Sequence, residues 1–152
     1  MPHNAILKRR AQPYSAIMLS IRPEHARNIL DGIKTVELRR RFPENAAGMW
    51  LLLYASSPTR ALVGAARVHR VHRLPLTQLW HTYRAAANVS REQFNQYFAD
   101  RRVGSAIILQ HAIRFERIVP LHELREAYGL DPNVSYRWIC GPATRLLNDR
   151  GI

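Results

Sequence analysis

The sequence predicts an α+β fold, a small mixed β-barrel with short helices packed at its ends. Short β-leaning apolar runs alternate with short helical patterns along the chain. The 152 residues suit one compact domain. Apolar residues make up 47% and charged residues 22%, ordinary globular usage that excludes wholesale disorder. Residues 1–13 read as a flexible basic arm, 14–140 as the domain and 141–152 as a C-terminal tail.

Ser15 to Ile21 is short and β-leaning, a first strand. Pro23 then fits the first helical position, Ala26, Ile29 and Leu30 recur at helical spacing, and Asp31-Gly32 stops the helix. Lys34 to Arg41 reads as a strand and Phe42 to Asn45 as a turn. Trp50 to Tyr54 and Leu62 to Val71 follow as strands, with Gly64 a bend point in the second. After Pro75, Leu76, Leu79, Trp80 and Tyr83 form one helical face. Ser90 to Gln93 is a capping-box pattern opening a second helix, with Phe94, Tyr97 and Phe98 on one side. Val103 to Phe115 reads as one or two strands, Pro120 to Arg125 as a helical turn, and the end past Trp138 as polar and helical.

Charge is the unusual quantity. Lys plus Arg number 23 against 11 acids, a formal net charge of +12, and all the bases except Lys8 and Lys34 are Arg. No acid falls between Asn45 and Arg91, and Lys8-Arg9-Arg10 and Arg39-Arg40-Arg41 form further clusters. Such a distribution attracts a polyanion, of which nucleic acid is the usual case. The competing account is a solvated Arg-rich surface that reflects base composition.

Several classes fall away. The single Cys140 rules out an intramolecular disulfide framework and a multi-cysteine zinc site. Strand spacing sends His69 and His72 to opposite faces, and no acid or cysteine lies near to complete a metal site. Cys140 has no activating neighbour in sequence. No apolar run reaches the roughly 18–20 residues a bilayer demands, and the N-terminus has no secretory apolar stretch. The expectation is a cytoplasmic protein with no membrane partner, no metal and no cofactor.

The segment Gly32-Ile33-Lys34-Thr35-Val36-Glu37-Leu38-Arg39 gathers two cations and a carboxylate just past a helix stop. On a regular strand, Thr35, Glu37 and Arg39 share one face while Lys34 lies on the other. Lys34 meets Glu37 only if Lys34 sits in the turn or a bulge realigns the chain. An ordinary half-exposed strand with a weak Glu37–Arg39 pair fits the same letters.

Ser20-x-x-Pro23 followed by Ile29-Leu-Asp-Gly-Ile-Lys-Thr-Val-Glu-Leu-Arg39 resembles the signature of the ASCH family, a PUA-like barrel whose helix leads into Gly-x-Lys-x-x-Glu-x-Arg. Tyr54-Ala-Ser-Ser-Pro58, Val63-Gly64 and Ser135-Tyr136-Arg137-Trp138 are similar to a branch described as putative transcriptional regulators, so the likeness spans Ser15 to Trp138. The resemblance implies a cleft beside the first helix lined by Lys34, Glu37 and Arg39, with RNA or another nucleic acid as ligand. Gly48-Met49 stands where many members carry Gly-Asp. A branch that hydrolyses acetylated cytidine uses a Lys, a Thr and a Glu. Lys34 matches, but Glu37 stands at the Thr position and Ala87 at the acid, so two of three groups are missing.

Two more groups of residues carry candidate chemistry. Tyr54 and Ser56 share a strand face, and with Ser57 offer hydroxyls to phosphate or a base edge, although turn chemistry explains the serines equally well. Tyr136-Arg137-Trp138 offers rings on which bases stack, or an aromatic strand of the core, with Arg137 the binding candidate. The leading expectation is a nucleic-acid-binding module, RNA ahead of DNA. Arg39, Arg40, Arg67 and Arg137 meet phosphate or stack, and Lys34, Thr35 and Glu37 hold one nucleotide. The alternative is a ribonuclease in the same place, with Glu37 as general base and Lys34 and Arg39 stabilising phosphoryl charge. A basic face that docks an acidic protein is the third class.

Overall fold

The computed structural model describes residues 16–132 and 135–152. The expected basic arm at 1–13 and Ser15 lie outside them. Six strands form one sheet in the order β2-β5-β4-β3-β1-β6. In chain order these are β1 (Ala16–Ile21), β2 (Val36–Arg39), β3 (Trp50–Ala55), β4 (Ala61–Pro75), β5 (Val103–Pro120) and β6 (Tyr136–Ile139). Five helices accompany them: α1 (Pro23–Leu30), α2 (Leu76–Ala87), α3 (Arg91–Tyr97), α4 (Leu121–Tyr128) and α5 (Arg145–Asp149). The β1–β3 pair is parallel and joined through α1, while the other pairs are antiparallel.

The α+β class holds, but the sheet is not closed into a barrel. Its edges are β2 and β6. The strand expected over Lys34 to Arg41 is regular only from Val36 to Arg39, too short to carry a ladder round to the far edge. The middle strands are longer than expected: β4 runs 15 residues, and β5 is one strand of 18. Three register shifts along their pairing bend this ribbon, as bulges do.

Alternation in β1 feeds two cores. Ile17, Leu19 and Ile21 pack with Ala26 and Ile29 of α1, while Ala16 and Met18 face the cluster under α4 and α5. A third cluster joins Val36 and Leu38 of β2 to Leu79, Phe94 and Phe98 of α2 and α3. Local chemistry sets the helix ends. Gly32 takes a left-handed φ of 76° just past α1. The Ser90 side chain accepts the Gln93 N–H at 3.1 Å and the Gln93 side chain accepts the Ser90 N–H at 2.9 Å, which is the capping box expected from the sequence.

Gly64 sits at a register shift, as its assignment as a bend point requires, and it has a second reason to lack a side chain. A Cβ there would stand 2.4 Å from the Ile113 carbonyl oxygen and 2.6 Å from a Leu30 methyl. Gly64→Ala must therefore push β5 or α1 aside. We expect a loss of about 1–3 kcal/mol, read as a lower urea midpoint with an unchanged slope.

Candidate functional site

Lys34 lies in the turn between α1 and β2, not on the strand, and this places its side chain beside Glu37. Backbone bonds fix the turn: the Ile33 and Lys34 N–H groups both donate to the Asn28 carbonyl, and the Thr35 N–H donates to Ala86 at the end of α2. The Lys34 side chain is 1% exposed. Its Nζ donates to the Ala87 carbonyl and stands 3.7 Å from Oε1 of Glu37. That Oε1 also accepts the Leu38 N–H at 3.0 Å, and Oε2 lies 3.8 Å from Nη2 of Arg39. Nη2 in turn donates to the Ser20 carbonyl of β1 at 2.7 Å. A continuous polar chain thus runs from the end of α2 to β1. Burial pulls the Lys34 ammonium below its ordinary pKa, with Glu37 opposing the shift and Arg39 adding to it.

An open cavity of about 790 Å³ lies over this chain, between the ends of β1 and β3, the start of α1, β2, α3 and α4. Glu37 and Arg39 line it, as do Arg40, Tyr54 and Ser56, so five of the ten candidates converge there. Burial pushes the Tyr54 phenol above its ordinary pKa, leaving it a neutral O–H donor. Arg40 stacks its guanidinium 4.7 Å from the centroid of the Tyr97 ring, and its Nε donates to the Tyr97 carbonyl at 2.8 Å.

The other five candidates lie elsewhere. Lys34 is sealed beneath the cavity instead of lining it. Thr35 and Ser57 are exposed and do not line it. Arg67 stacks over Trp50 at 4.2 Å and donates to the Gly48 carbonyl at 2.7 Å, outside the lining. Arg137 donates to the Asp131 carbonyl at 3.1 Å. Its flanking rings serve the core: Tyr136 meets Phe42 edge-on at 5.4 Å, and Trp138 packs on the same cluster.

The aromatic wall of the cavity comes from α3 and its C-cap instead, through Phe94, Tyr97 and Phe98, which the sequence marked only as a helix face. His25 is a further lining residue that the motif did not signal. Its Nδ1 is buried without a hydrogen-bond partner among the described residues. Burial holds the imidazole below its ordinary pKa of 6.5, and Lys34 acts in the same direction against the weaker opposing pull of Glu37 and Glu24. Among the described residues, no three His, Cys, Asp or Glu side chains cluster as metal ligands would, and no helix is long and apolar enough to cross a membrane.

Comparison with known proteins agrees with this architecture. The ASCH domain family model matches residues 19–119. A protein of Zymomonas mobilis named ASCH domain-containing ribonuclease is 30% identical over 132 residues, covering 86% of this chain and 88% of its own length. The crystal structure of ASCH from Zymomonas mobilis, 29% identical, superposes with a TM-score of 0.83 over 89% of this chain and 94% of that one. The N-terminal domain of Staphylothermus marinus McrB, 12% identical, reaches a TM-score of 0.54 over 92% of this chain and 96% of its own, a likeness of fold alone.

Two stability measurements check the buried charges. Lys34→Met leaves the Glu37 carboxylate buried with one cation fewer, so unfolding by urea should show a loss of about 3–5 kcal/mol. His25 gives the second. Below pH 6.5 the unfolded imidazole takes a proton that the folded one refuses, so acidification destabilises the fold until the folded pKa is passed. His25→Gln should therefore lose less stability than the wild type between about pH 7 and about pH 5.5.

Proposed function

The chain belongs to the ASCH domain family, and from that premise we propose that it binds RNA and cuts it in the cavity beside α1. The observation that carries the proposal is that Glu37 and four arginines, Arg22, Arg39, Arg40 and Arg125, are among the residues that line that cavity. Guanidinium forks match phosphate oxygens and neutralise the charge that builds on phosphorus during cleavage. The similar protein named a ribonuclease supports the reading, since the likeness covers most of both chains.

On this proposal the residues take these roles. Arg39 and Arg40 take the scissile phosphate. Glu37 holds Arg39 in place from below, with Lys34 fixing Glu37 in turn. The Tyr54 and Ser56 hydroxyls contact the sugar or an adjacent phosphate. Thr35, Ser57, Arg67 and Arg137 stand outside this set. The cytoplasm, where RNA is abundant, is the place of action, and turnover of chosen RNAs is how such a protein would regulate.

The test uses the purified full chain and a fluorescent single-stranded oligoribonucleotide. We expect binding that weakens steeply with salt, and cleavage of RNA but not of the matching DNA. Arg40→Ala should weaken binding and lower the slope of log affinity against log salt by about 1. Arg39→Ala should cut at least about 10²-fold more slowly, as loss of one charge-stabilising donor does. Salt-sensitive binding without cleavage would leave a binding module, and no binding at low salt would refute the reading.

A further inference from the structure

We propose that His25 takes the proton from the attacking 2′-hydroxyl when RNA is cut in this cavity, an inference that rests on the ribonuclease reading above. His25 is the third residue of α1 and lines the cavity with Glu37 and Arg39. Its side chain is 18% exposed. Because Nδ1 is buried, that exposure lies on the rest of the ring, where Nε2 stands 3.8 Å from Oε1 of Glu24. With no hydrogen-bond partner at Nδ1 among the described residues, nothing there fixes the ring's tautomer, and the Nε2 lone pair is free to accept a proton.

The charged groups around the ring decide its state. Lys34 in the turn, Glu37 of β2, Glu24 on the same helix and Arg22 at its start all act on it. Burial and Lys34 outweigh the carboxylates, and the positive end of α1 works in the same sense. The ring is therefore neutral near pH 7 and holds a free lone pair for a proton. Glu37, the base expected from the motif, has its oxygens engaged by the Leu38 N–H, Lys34 and Arg39. It is better placed to orient Arg39 than to receive a proton.

In the step, Nε2 of His25 takes the 2′-hydroxyl proton as the 2′-oxygen bonds to phosphorus, while the buried Nδ1 keeps its own proton. The bond from phosphorus to O5′ breaks, and O5′ takes a proton from water. The hydroxide left behind recovers the proton from the imidazolium, so no water is consumed. The products are a 2′,3′-cyclic phosphate and a 5′-hydroxyl end, while Arg39 and Arg40 balance the charge on phosphorus.

The experiment follows cleavage of an oligoribonucleotide against pH, beside the same strand with 2′-deoxy sugars. The wild type should leave cyclic phosphate ends, spare the deoxy strand, and lose rate on acidification with a limb at or below pH 6.5. His25→Gln should bind the RNA as before by anisotropy, melt as before, and cut about 10²–10⁴-fold more slowly. His25→Ala should recover part of its rate when free imidazole is added, which a purely structural role would not allow. If His25→Gln cuts at the wild-type rate, or imidazole restores nothing to a folded His25→Ala, this inference is overturned while the ribonuclease reading stands. If the wild type leaves RNA intact, both fall. Should His25→Gln melt early, the imidazole experiment on His25→Ala decides.

Discussion

An ammonium group with 1% exposure is the constraint around which this end of the molecule is built. Taking such a charge from water costs several kcal/mol even after relaxation, so Lys34 can be buried only with its partners in place. Those partners come from distant parts of the chain: the Ala87 carbonyl ends α2, and Glu37 lies on β2. Arg39 continues the series to Ser20 on β1. The sheet leaves β2 as an edge strand, and this guanidinium ties it to the end of β1. Edge strand β2 and the end of β1 both line the cavity.

What could be read in the sequence was what local chemistry decides. Pro23 through its fixed φ, Gly32 through its left-handed φ and the Ser90–Gln93 box through its reciprocal bonds each set a helix end where the sequence indicates it. Period-two reasoning also put Glu37 and Arg39 on one face and Tyr54 and Ser56 on another, and both pairs reach the cavity. It could not say where β2 begins. That is settled by the Lys34 amine finding the Ala87 carbonyl, 53 positions away. His25 was illegible for the same reason: a lone imidazole on a short helix shows nothing until Lys34 and Glu37 fold against it. Tyr136 and Trp138 carried the opposite ambiguity, since aromatic letters fit a core strand and a stacking platform alike, and packing against Phe42 and its cluster made them core.

The excess of arginine has a structural share. Guanidinium groups donate to backbone carbonyls across the molecule: Arg39 to Ser20, Arg40 to Tyr97, Arg67 to Gly48, Arg73 to Arg40, Arg137 to Asp131, Arg145 to Ala127 and Arg150 to Arg117. A planar fork with five donors can hold a carbonyl and still present charge outward, which an ammonium does less well. These arginines tie loops and strand ends to the rest of the fold. A carbonyl bond leaves the guanidinium charge in place, so these arginines still contribute to the net charge of +12, and Arg22, Arg39, Arg40 and Arg125 matter because they share one hollow.

The scarcity of lysine has a practical consequence. Lys8 and Lys34 are the only lysines in the chain, and the second is closed to solvent while the domain stays folded. Acylating or methylating reagents that seek free amines should spare Lys34 until α2 and β2 separate. Mass gained there becomes a clock for the opening of the domain, kept by a single nitrogen.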